Sequence, residues 1–374
     1  MWKAPEPRRG VTGPMVDVPV DTAPVDPLDT VRGPVDELLR QFLAAREEQL
    51  VAIDERLAPI AQAVSTLVLG GGKRMRPAFV YWGYRASGAA HTEALWHPAA
   101  AVELLQAFAL IHDDVMDRSA RRRGRPAVHV ELAAHHGAVG LTGDGPWFGT
   151  SAAVLAGDLA FVWADELFDA TPVAVADRER GRTVFTELRS ELVAGQYLDL
   201  LLTASADAGP EQARRVALLK AGRYTVTRPL HLGAALGGGG RDLSAALTAF
   251  GDAVGLAFQL RDDVLGLFGD PNTTGKDVLD DLRQGKRTVL MLEAFARCSP
   301  AQRAMLSAAL GDADVDDGTA ERVRTIVREC GALADVERQV RLHFDRALAA
   351  LAAVDQPARR ALEQLATRAL FREG

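Results

Sequence analysis

The chain has 374 residues, a formal net charge of -7 and only two cysteines, Cys298 and Cys330. The acidic balance argues against a general nucleic-acid binder, since such proteins need surplus Lys and Arg to replace phosphate counterions. Two distant cysteines indicate neither a disulfide framework nor a zinc site, and they fit a reducing cytoplasm. Because no signal-like segment and no long uncharged apolar stretch is evident, we expect a cytoplasmic protein without a membrane span.

Hydrophobic residues make up 48% of the chain and aromatic residues only 6%, which favours an all-α protein. Seven of the eighteen prolines lie within residues 1–34, which predicts a disordered leader. Apolar residues recur at helical spacing from Val35 onward, so we expect one helical domain over residues 35–374. The longest predicted helices, which could form a bundle around a cavity, cover about 98–120, 148–169, 174–204, 211–236 and 243–268.

An aspartate-rich segment ends the first of these long helices, where residues 111–117 read IHDDVMD. At about 100° per residue, Asp113, Asp117 and Asp114 project at about 0°, 40° and 100°, so their carboxylates share one face. Carboxylates suit Mg²⁺, which commonly bridges protein carboxylates to substrate phosphates. The alternative for an isolated motif of this kind is a solvated acidic helix end.

A second acidic pair ends another long helix, where residues 258–266 read FQLRDDVLG. Asp262 and Asp263 form the pair, and Gln259 lies about 60° from Asp262 on the same arc of the helix. Two such helix ends could face each other across one cavity, because bundles build metal sites from facing side chains.

Three basic clusters could supply counter-charges for a substrate that carries diphosphates. They are GGKRMRP at residues 71–77, RRRGRP at 121–126, and the Gly-Lys pairs at 275–276 and 285–286. Each cluster alone is more often a solvated surface run. A nucleotide-binding P-loop at Lys73 is excluded, because Arg74 stands where Ser or Thr would bind magnesium.

Taken in order, these motifs resemble those of the trans-isoprenyl diphosphate synthases, the polyprenyl synthase family. The resemblance covers about residues 35–370 and keeps the order G-G-K-x-x-R-P, D-D-x-x-D-x-x-x-x-R-R-G, G-Q-x-x-D, K-x-G, F-Q-x-x-D-D, G-K and G-K-x-T. It implies an isoprenoid-synthase helical bundle around a deep central cavity. It also implies a homodimer that condenses isopentenyl diphosphate with an allylic diphosphate, using Mg²⁺.

The resemblance also assigns roles to individual residues. It implies that three magnesium ions, with substrate bound, are held by Asp113, Asp114, Asp117, Asp262 and, less directly, Asp263. The allylic diphosphate would be bound by Arg122, Lys220 and Lys276, and isopentenyl diphosphate by Lys73, Arg76, Gln106 and Arg123. The catalytic set would be Asp113, Asp114, Asp117, Lys220, Gln259 and Asp262, with Gln259 also contacting substrate. Less defined roles fall to Gln196, Asp199 and Lys286.

Two positions depart from the family pattern. Gly266 replaces the third aspartate of the second acidic motif, which leaves Asp262 and Asp263 to bind metal. Ala221 follows Lys220 where the family usually has Thr or Ser. A missing hydroxyl near the carbocation could slow turnover.

Product length is predicted from two residues upstream of Asp113. Ala109 lies about 40° from Asp113 around the helix, and Phe108 lies at about 220°. In the family, a single aromatic residue at the farther position is typical of twenty-carbon synthases, so we expect geranylgeranyl diphosphate, with farnesyl or longer-chain products as alternatives. The other interpretation of Phe108 is ordinary core packing.

Two other functions are compatible with parts of the sequence. A class I terpene cyclase shares the helical fold but needs an N-D-x-x-S/T-x-x-x-E motif, whereas Asn272, the only asparagine, lies in a Pro-Asn-Thr-Thr-Gly turn. A catalytically silent partner subunit would tolerate the changes at Gly266 and Ala221. Retention of both acidic pairs and of the basic clusters argues against that second function.

Overall fold

The fold is built almost entirely of helices, which confirms the predicted all-α class. The computed structural model describes residues 26–205, 207–269 and 279–371. In chain order the helices are α1 (Asp29–Ile53), α2 (Ala58–Leu69), α3 (Met75–Ala86), α4 (Trp96–Met116), α5 (Val128–Ala138), α6 (Gly145–Asp169), α7 (Val175–Ala204), α8 (Pro210–Val216), α9 (Arg228–Leu236), α10 (Arg241–Phe268), α11 (Asp280–Arg283), α12 (Val289–Arg297), α13 (Pro300–Ala309), α14 (Asp317–Glu329), α15 (Ala332–Ala350) and α16 (Ala358–Leu370).

Shorter elements connect these helices. Single 3₁₀ turns lie at Glu55–Leu57, Glu93–Leu95 and Leu351–Ala353, and a π-helical segment, Ala217–Thr227, joins α8 to α9. The only sheet in the described residues is an antiparallel ribbon of β1 (Arg121–Arg122) and β2 (Arg125–Pro126). Long π-helical segments are rare and π-type turns often occur at functional sites, so the segment that carries Lys220 is notable.

The helical domain begins earlier than the sequence predicts. Helix α1 starts at Asp29 and contains Pro34, so the boundary placed at residue 35 is wrong for residues 29–34. Val31 and Val35, one turn apart, are both fully buried, and this apolar packing outweighs the one hydrogen bond that a proline removes. The rest of the predicted leader, residues 1–25, lies outside the described residues.

Helices α4 and α10 bring the two acidic motifs to the same part of the bundle. Helix α4 packs on α6, and α10 packs on α15 and on the π-helical segment. Both helices carry their aspartates near their C-terminal ends, where the helix dipole disfavours negative charge. Such a placement needs nearby cations, which the site described below supplies.

Two glycines set the distance between the elements that form the site. A Cβ at Gly195 of α7 would lie 2.5 Å from the backbone nitrogen of Lys220. A Cβ at Gly255 of α10 would lie 2.4 Å from the Cα of Gly222. Only glycine permits these approaches, so α7 and α10 close tightly on the π-helical segment from two sides.

Candidate active site

A cavity of about 380 Å³ lies between α4, α7, the π-helical segment, α10 and the residues after α11. It brings together side chains from the two acidic motifs and from the basic clusters found in the sequence. The predicted site residues that line it are Arg76, Gln106, Ala109, Asp113, Lys220, Gln259, Asp262 and Asp263. Gln196, Asp199 and Lys286, whose roles the sequence leaves less defined, line it as well.

Within the first motif, Asp113 contacts side chains from two other elements, α7 and the π-helical segment. Its Oδ1 lies 3.0 Å from Nζ of Lys220 and accepts a hydrogen bond of 3.2 Å from Nε2 of Gln196. Lys220 in turn lies 2.6 Å from Oδ2 of Asp199. Burial opposes ionisation of Asp113, but the ammonium groups of Lys220 and Lys286 outweigh it and lower its pKa below the ordinary value. Asp113 is therefore held as a carboxylate at neutral pH.

The other two aspartates of the first motif make different contacts. Asp114 is buried, accepts hydrogen bonds from Arg122 at 2.9 and 3.2 Å, and is not among the residues that line the cavity. Burial raises the pKa of Asp114, although Arg122 opposes that change. Asp117 follows the last residue of α4, and its Oδ2 lies 2.8 Å from Nζ of Lys286. Asp114 thus orients Arg122, whereas Asp117 pairs with Lys286.

The two carboxylates of the second motif also differ. Asp262 is exposed to the cavity. Asp263 is buried, and each of its oxygens already accepts a hydrogen bond, from Nε2 of Gln259 at 2.9 Å and from the backbone nitrogen of Val289 at 3.0 Å. Burial raises the pKa of Asp263 to about 7. Asp263 therefore ties α10 to the start of α12 in this state, with Asp262 the more accessible group.

The acidic groups fit magnesium that is shared with a substrate. Within residues 26–205, 207–269 and 279–371, no three carboxylate, imidazole or thiol side chains converge closely enough to hold a metal ion by themselves. The carboxylates are paired instead with Arg122, Lys220 and Lys286. Mg²⁺ is usually bound by one or two carboxylates together with substrate phosphates. Acidic side chains from two helices that face one cavity meet that requirement.

A basic and polar wall lies beside the acidic groups. The guanidinium of Arg76 donates a 2.8 Å hydrogen bond to Thr225 and stacks over the ring of Tyr224 at 4.6 Å. Tyr224 donates a 2.7 Å hydrogen bond to Oε1 of Gln106. In the described structure the buried Nε of Arg76 has no hydrogen-bond acceptor, so this nitrogen can donate to an anionic ligand.

Other basic residues of the clusters at 71–77 and 121–126 lie close to this wall. Arg123 donates a 2.5 Å hydrogen bond to the carbonyl of Gly71, and burial, together with Arg74 and Arg76, lowers its pKa. Arg74 is buried against Glu103 and Asp36 at 2.6 Å each, so it braces α3 to α1 and α4. Lys73 is exposed at the turn that leads into α3. The excess of positive charge here favours a bound anion.

The two residues predicted to set product length face different directions. Ala109 lines the cavity, whereas Phe108 does not. The ring of Phe108 packs against Phe161 of α6 and His112, with centroid distances of 4.9 and 4.8 Å. Phe108 is therefore one layer away from the described cavity, and its role in setting product length stays a prediction. Beside it on α4, Ala109 and Leu110 line the cavity.

Sequence reasoning missed some cavity residues and placed one outside the described structure. Tyr224 and Thr225 line the cavity, and Tyr224 could have been found because it lies one helical turn beyond Lys220. Asp281 also lines the cavity and belongs to a third Asp-Asp pair, at 280–281, between the two Gly-Lys pairs. Lys276, together with the Asn272 turn, lies outside the described residues.

Comparison with known proteins decides the family. A sequence profile described as polyprenyl synthetase matches residues 58–328, which is most of the chain. The chain belongs to the polyprenyl synthetase family. A geranylfarnesyl diphosphate synthase from Aeropyrum pernix is 32% identical to this polyprenyl synthetase over 306 residues, covering 80% of this chain and 90% of that protein. A (2E,6E)-farnesyl diphosphate synthase from Mycobacterium tuberculosis H37Rv is 34% identical over 298 residues, covering 77% and 76%.

Solved structures agree with the family assignment. A geranylgeranyl pyrophosphate synthase from Corynebacterium glutamicum, solved with isoprenyl diphosphate and magnesium, is 37% identical to this polyprenyl synthetase with a TM-score of 0.88. The match covers 92% of this chain and 99% of that one. This polyprenyl synthetase is therefore an enzyme that transfers prenyl groups, with the isoprenoid-synthase fold. Neither a terpene cyclase nor a silent subunit is needed to explain the site.

Proposed function

We propose that this enzyme elongates allylic diphosphates with isopentenyl diphosphate to geranylgeranyl diphosphate, using Mg²⁺. One observation carries the proposal: two acidic helix ends and a separate basic wall surround a single cavity. Such a cavity offers two anion sites of different chemistry, one suited to a metal-bound diphosphate and one suited to a diphosphate held by guanidinium groups. Condensation of two diphosphates needs both.

The chemistry follows from charge stabilisation. Lys220 and Arg122 would bind the allylic diphosphate beside Asp113, Asp117 and Asp262, which would hold up to three magnesium ions. When bound, Mg²⁺ offsets the negative charge that develops on departing pyrophosphate. The allylic group ionises to a delocalised carbocation, the double bond of isopentenyl diphosphate attacks it, and the released pyrophosphate accepts the proton that leaves. A dedicated protein base is not required.

The second anion site would bind isopentenyl diphosphate. Arg76, Arg123 and Lys73 would contact its phosphates, and Gln106 would act through its hydrogen bond to Tyr224. The orphaned Nε of Arg76 supports this assignment, because a buried donor without an acceptor is costly unless a ligand satisfies it. Thr225 also places a hydroxyl on this wall, although Ala221 lacks one.

The proposed twenty-carbon product depends on the small side chain of Ala109. Because Ala109 lines the cavity, replacing it by phenylalanine should block the growing chain and shift the main product from twenty to fifteen carbons. Chromatography of the dephosphorylated products would measure the shift. An unchanged distribution from a folded Ala109→Phe variant would exclude Ala109 from length control.

Phe108→Ala is the companion variant that separates the two interpretations of Phe108. If the growing chain reaches past Ala109 to the ring, the product should lengthen by at least one five-carbon unit. If the ring serves only to pack on Phe161, the variant should keep its product and lose about 3 to 5 kcal/mol of unfolding free energy.

We also propose that the enzyme is a homodimer that associates through α6. Trp147, Val154, Leu155 and Val162 recur on one face of α6 and are 68%, 41%, 59% and 59% exposed. Exposed apolar faces of this kind mark interaction surfaces. Leu155→Glu should therefore convert a dimer into a monomer in sedimentation equilibrium, whereas Ile53→Glu on the exposed part of α1 should not. A monomeric unsubstituted protein, or a dimeric Leu155→Glu variant, would exclude this interface.

A cytoplasmic location without a membrane span remains part of the proposal. By length and composition alone, three helical stretches in the part of the chain that the structure describes could cross a membrane, at Glu93–Met116, Gly145–Asp169 and Arg241–Phe268. Two of the three carry the aspartate motifs and form walls of the cavity, a role that fits a helix packed inside a bundle. The third is α6, whose apolar face is assigned above to the second subunit.

A further inference from the structure

The missing aspartate of the second acidic motif leaves a space that another residue fills. Position 266, three residues beyond Asp263, is glycine. A Cβ built on Gly266 would lie 2.4 Å from Oδ2 of Asp281, well inside van der Waals contact. The carboxylate of Asp281, which belongs to α11, thus occupies the place where a side chain at position 266 would begin.

The second motif itself offers little free carboxylate. Both oxygens of Asp263 accept hydrogen bonds, one from Gln259 and one from the backbone of Val289. Both aspartates of this motif line the cavity, but Asp262 is exposed whereas Asp263 is buried. Mg²⁺ is usually bound by one or two carboxylates together with substrate phosphates, so there is room beside Asp262 for a second carboxylate from outside this motif.

Asp281 is oriented toward the same centre as the first motif. It lines the cavity together with Asp113 and Asp262. Its Oδ1 lies 3.7 Å from Nζ of Lys286, and the same ammonium group lies 2.8 Å from Oδ2 of Asp117. Its backbone carbonyl accepts a 3.0 Å hydrogen bond from the backbone nitrogen of Lys286, which fixes the turn after α11. Lys286 therefore connects Asp281 to the first acidic motif.

We propose that Asp281 supplies the carboxylate that Gly266 lacks, so that Asp262 and Asp281 together face the divalent cation and the diphosphate on the α10 side of the cavity. The acidic ligand set is complete in this chain, although the second motif of its sequence is not. The inference rests on the proposed use of Mg²⁺ and a diphosphate. It adds to that proposal a residue on a different helix, and it explains why glycine is tolerated at position 266.

Metal affinity, rather than turnover, tests the proposal directly. Mn²⁺ would be titrated into the purified enzyme with inorganic pyrophosphate present, and bound Mn²⁺ would be measured by electron paramagnetic resonance. Asp281→Asn should weaken Mn²⁺ binding about tenfold or more, a loss typical of groups that support a metal site. The neighbouring Asp280→Asn is the matched control and should bind Mn²⁺ as the unsubstituted enzyme does, because Asp280 does not line the cavity.

A reciprocal swap sharpens the test. Gly266→Asp combined with Asp281→Ala returns the carboxylate to position 266 and should recover most of the affinity that Asp281→Ala loses. Gly266→Asp alone should not tighten binding, since the new side chain would collide with the carboxylate of Asp281. Thermal unfolding of each variant identifies any that fail to fold. If a swap variant fails to fold, the Mn²⁺ affinity of Asp281→Asn decides the question, because asparagine keeps the shape of the side chain.

Some outcomes would overturn the inference. One is unchanged Mn²⁺ affinity in Asp281→Asn, and another is a loss of Mn²⁺ affinity in Asp280→Asn that equals the loss in Asp281→Asn. A third is a gain of Mn²⁺ affinity from Gly266→Asp that is the same whether or not Asp281 is present. If Asp113→Asn weakens Mn²⁺ binding while Asp281→Asn does not, the inference fails and the proposed function stands. If the unsubstituted enzyme binds no Mn²⁺ with pyrophosphate, both fail.

Discussion

Replacing Asp113 by asparagine is expected to lower the rate of condensation more than about 100-fold at saturating substrate, since even groups that only support a metal ligand cost 10- to 100-fold. Asp113 lies at the centre of the acidic wall and contacts both Lys220 and Gln196. Its loss would weaken metal binding and release Lys220 from one of its two carboxylates. Initial rates at saturating Mg²⁺ and saturating substrates would measure the effect.

The same substitution should leave the fold nearly unchanged. Lys220 keeps its contact with Asp199 at 2.6 Å, so no buried ammonium is left without a partner. Glu48→Gln, which removes an exposed acid on α1, is the control for a change of net charge and should retain full activity. A folded Asp113→Asn variant with a normal rate would rule out the metal-binding role.

Arg76→Ala is expected to raise the Michaelis constant for isopentenyl diphosphate by about 10- to 100-fold, because a charge-assisted hydrogen bond contributes about 1.5 to 3 kcal/mol. Arg76 is held by Thr225 and by the ring of Tyr224, and its Nε has no acceptor in the described structure. The Michaelis constant for the allylic substrate should change much less. Steady-state kinetics with each substrate varied in turn would separate the two effects.

Lys220→Ala is expected to show the opposite substrate preference in the same kinetic assay. Lys220 contacts Asp113 and Asp199 on the acidic wall, so its loss should affect the allylic substrate more than isopentenyl diphosphate. If Arg76→Ala impairs the allylic substrate equally or more, the two anion sites have been assigned the wrong way round.

Local helical geometry predicted part of the site from the sequence alone. The spacing of Asp113 and Asp117 places both on one face, and each contacts a lysine at the cavity wall. Asp114, at about 100° from Asp113, lies at the margin of that face, and the structure turns it toward Arg122. The angular spacing therefore predicts that Asp114 lies at the margin of the acidic face. It does not predict that Arg122 of the following ribbon is its partner.

Other features depend on contacts between segments that are far apart in sequence. The buried carboxylate of Asp263 accepts a hydrogen bond from the backbone of Val289, and Gly266 leaves room for the carboxylate of Asp281 beside the cavity. Nothing in the periodicity of α10 indicates either contact. The start of α1 at Asp29 likewise depends on the burial of Val31, which the proline-rich composition around it obscures.

The most direct test of the central claim is a condensation assay with radiolabelled isopentenyl diphosphate and each of dimethylallyl, geranyl and farnesyl diphosphate, run with Mg²⁺ and with excess chelator. We expect Mg²⁺ to give labelled products that converge on geranylgeranyl diphosphate, and chelator to abolish them, because the carboxylates that line the cavity cannot bind a diphosphate without a cation. Absence of elongation from every allylic primer, or undiminished elongation in chelator, would contradict the account.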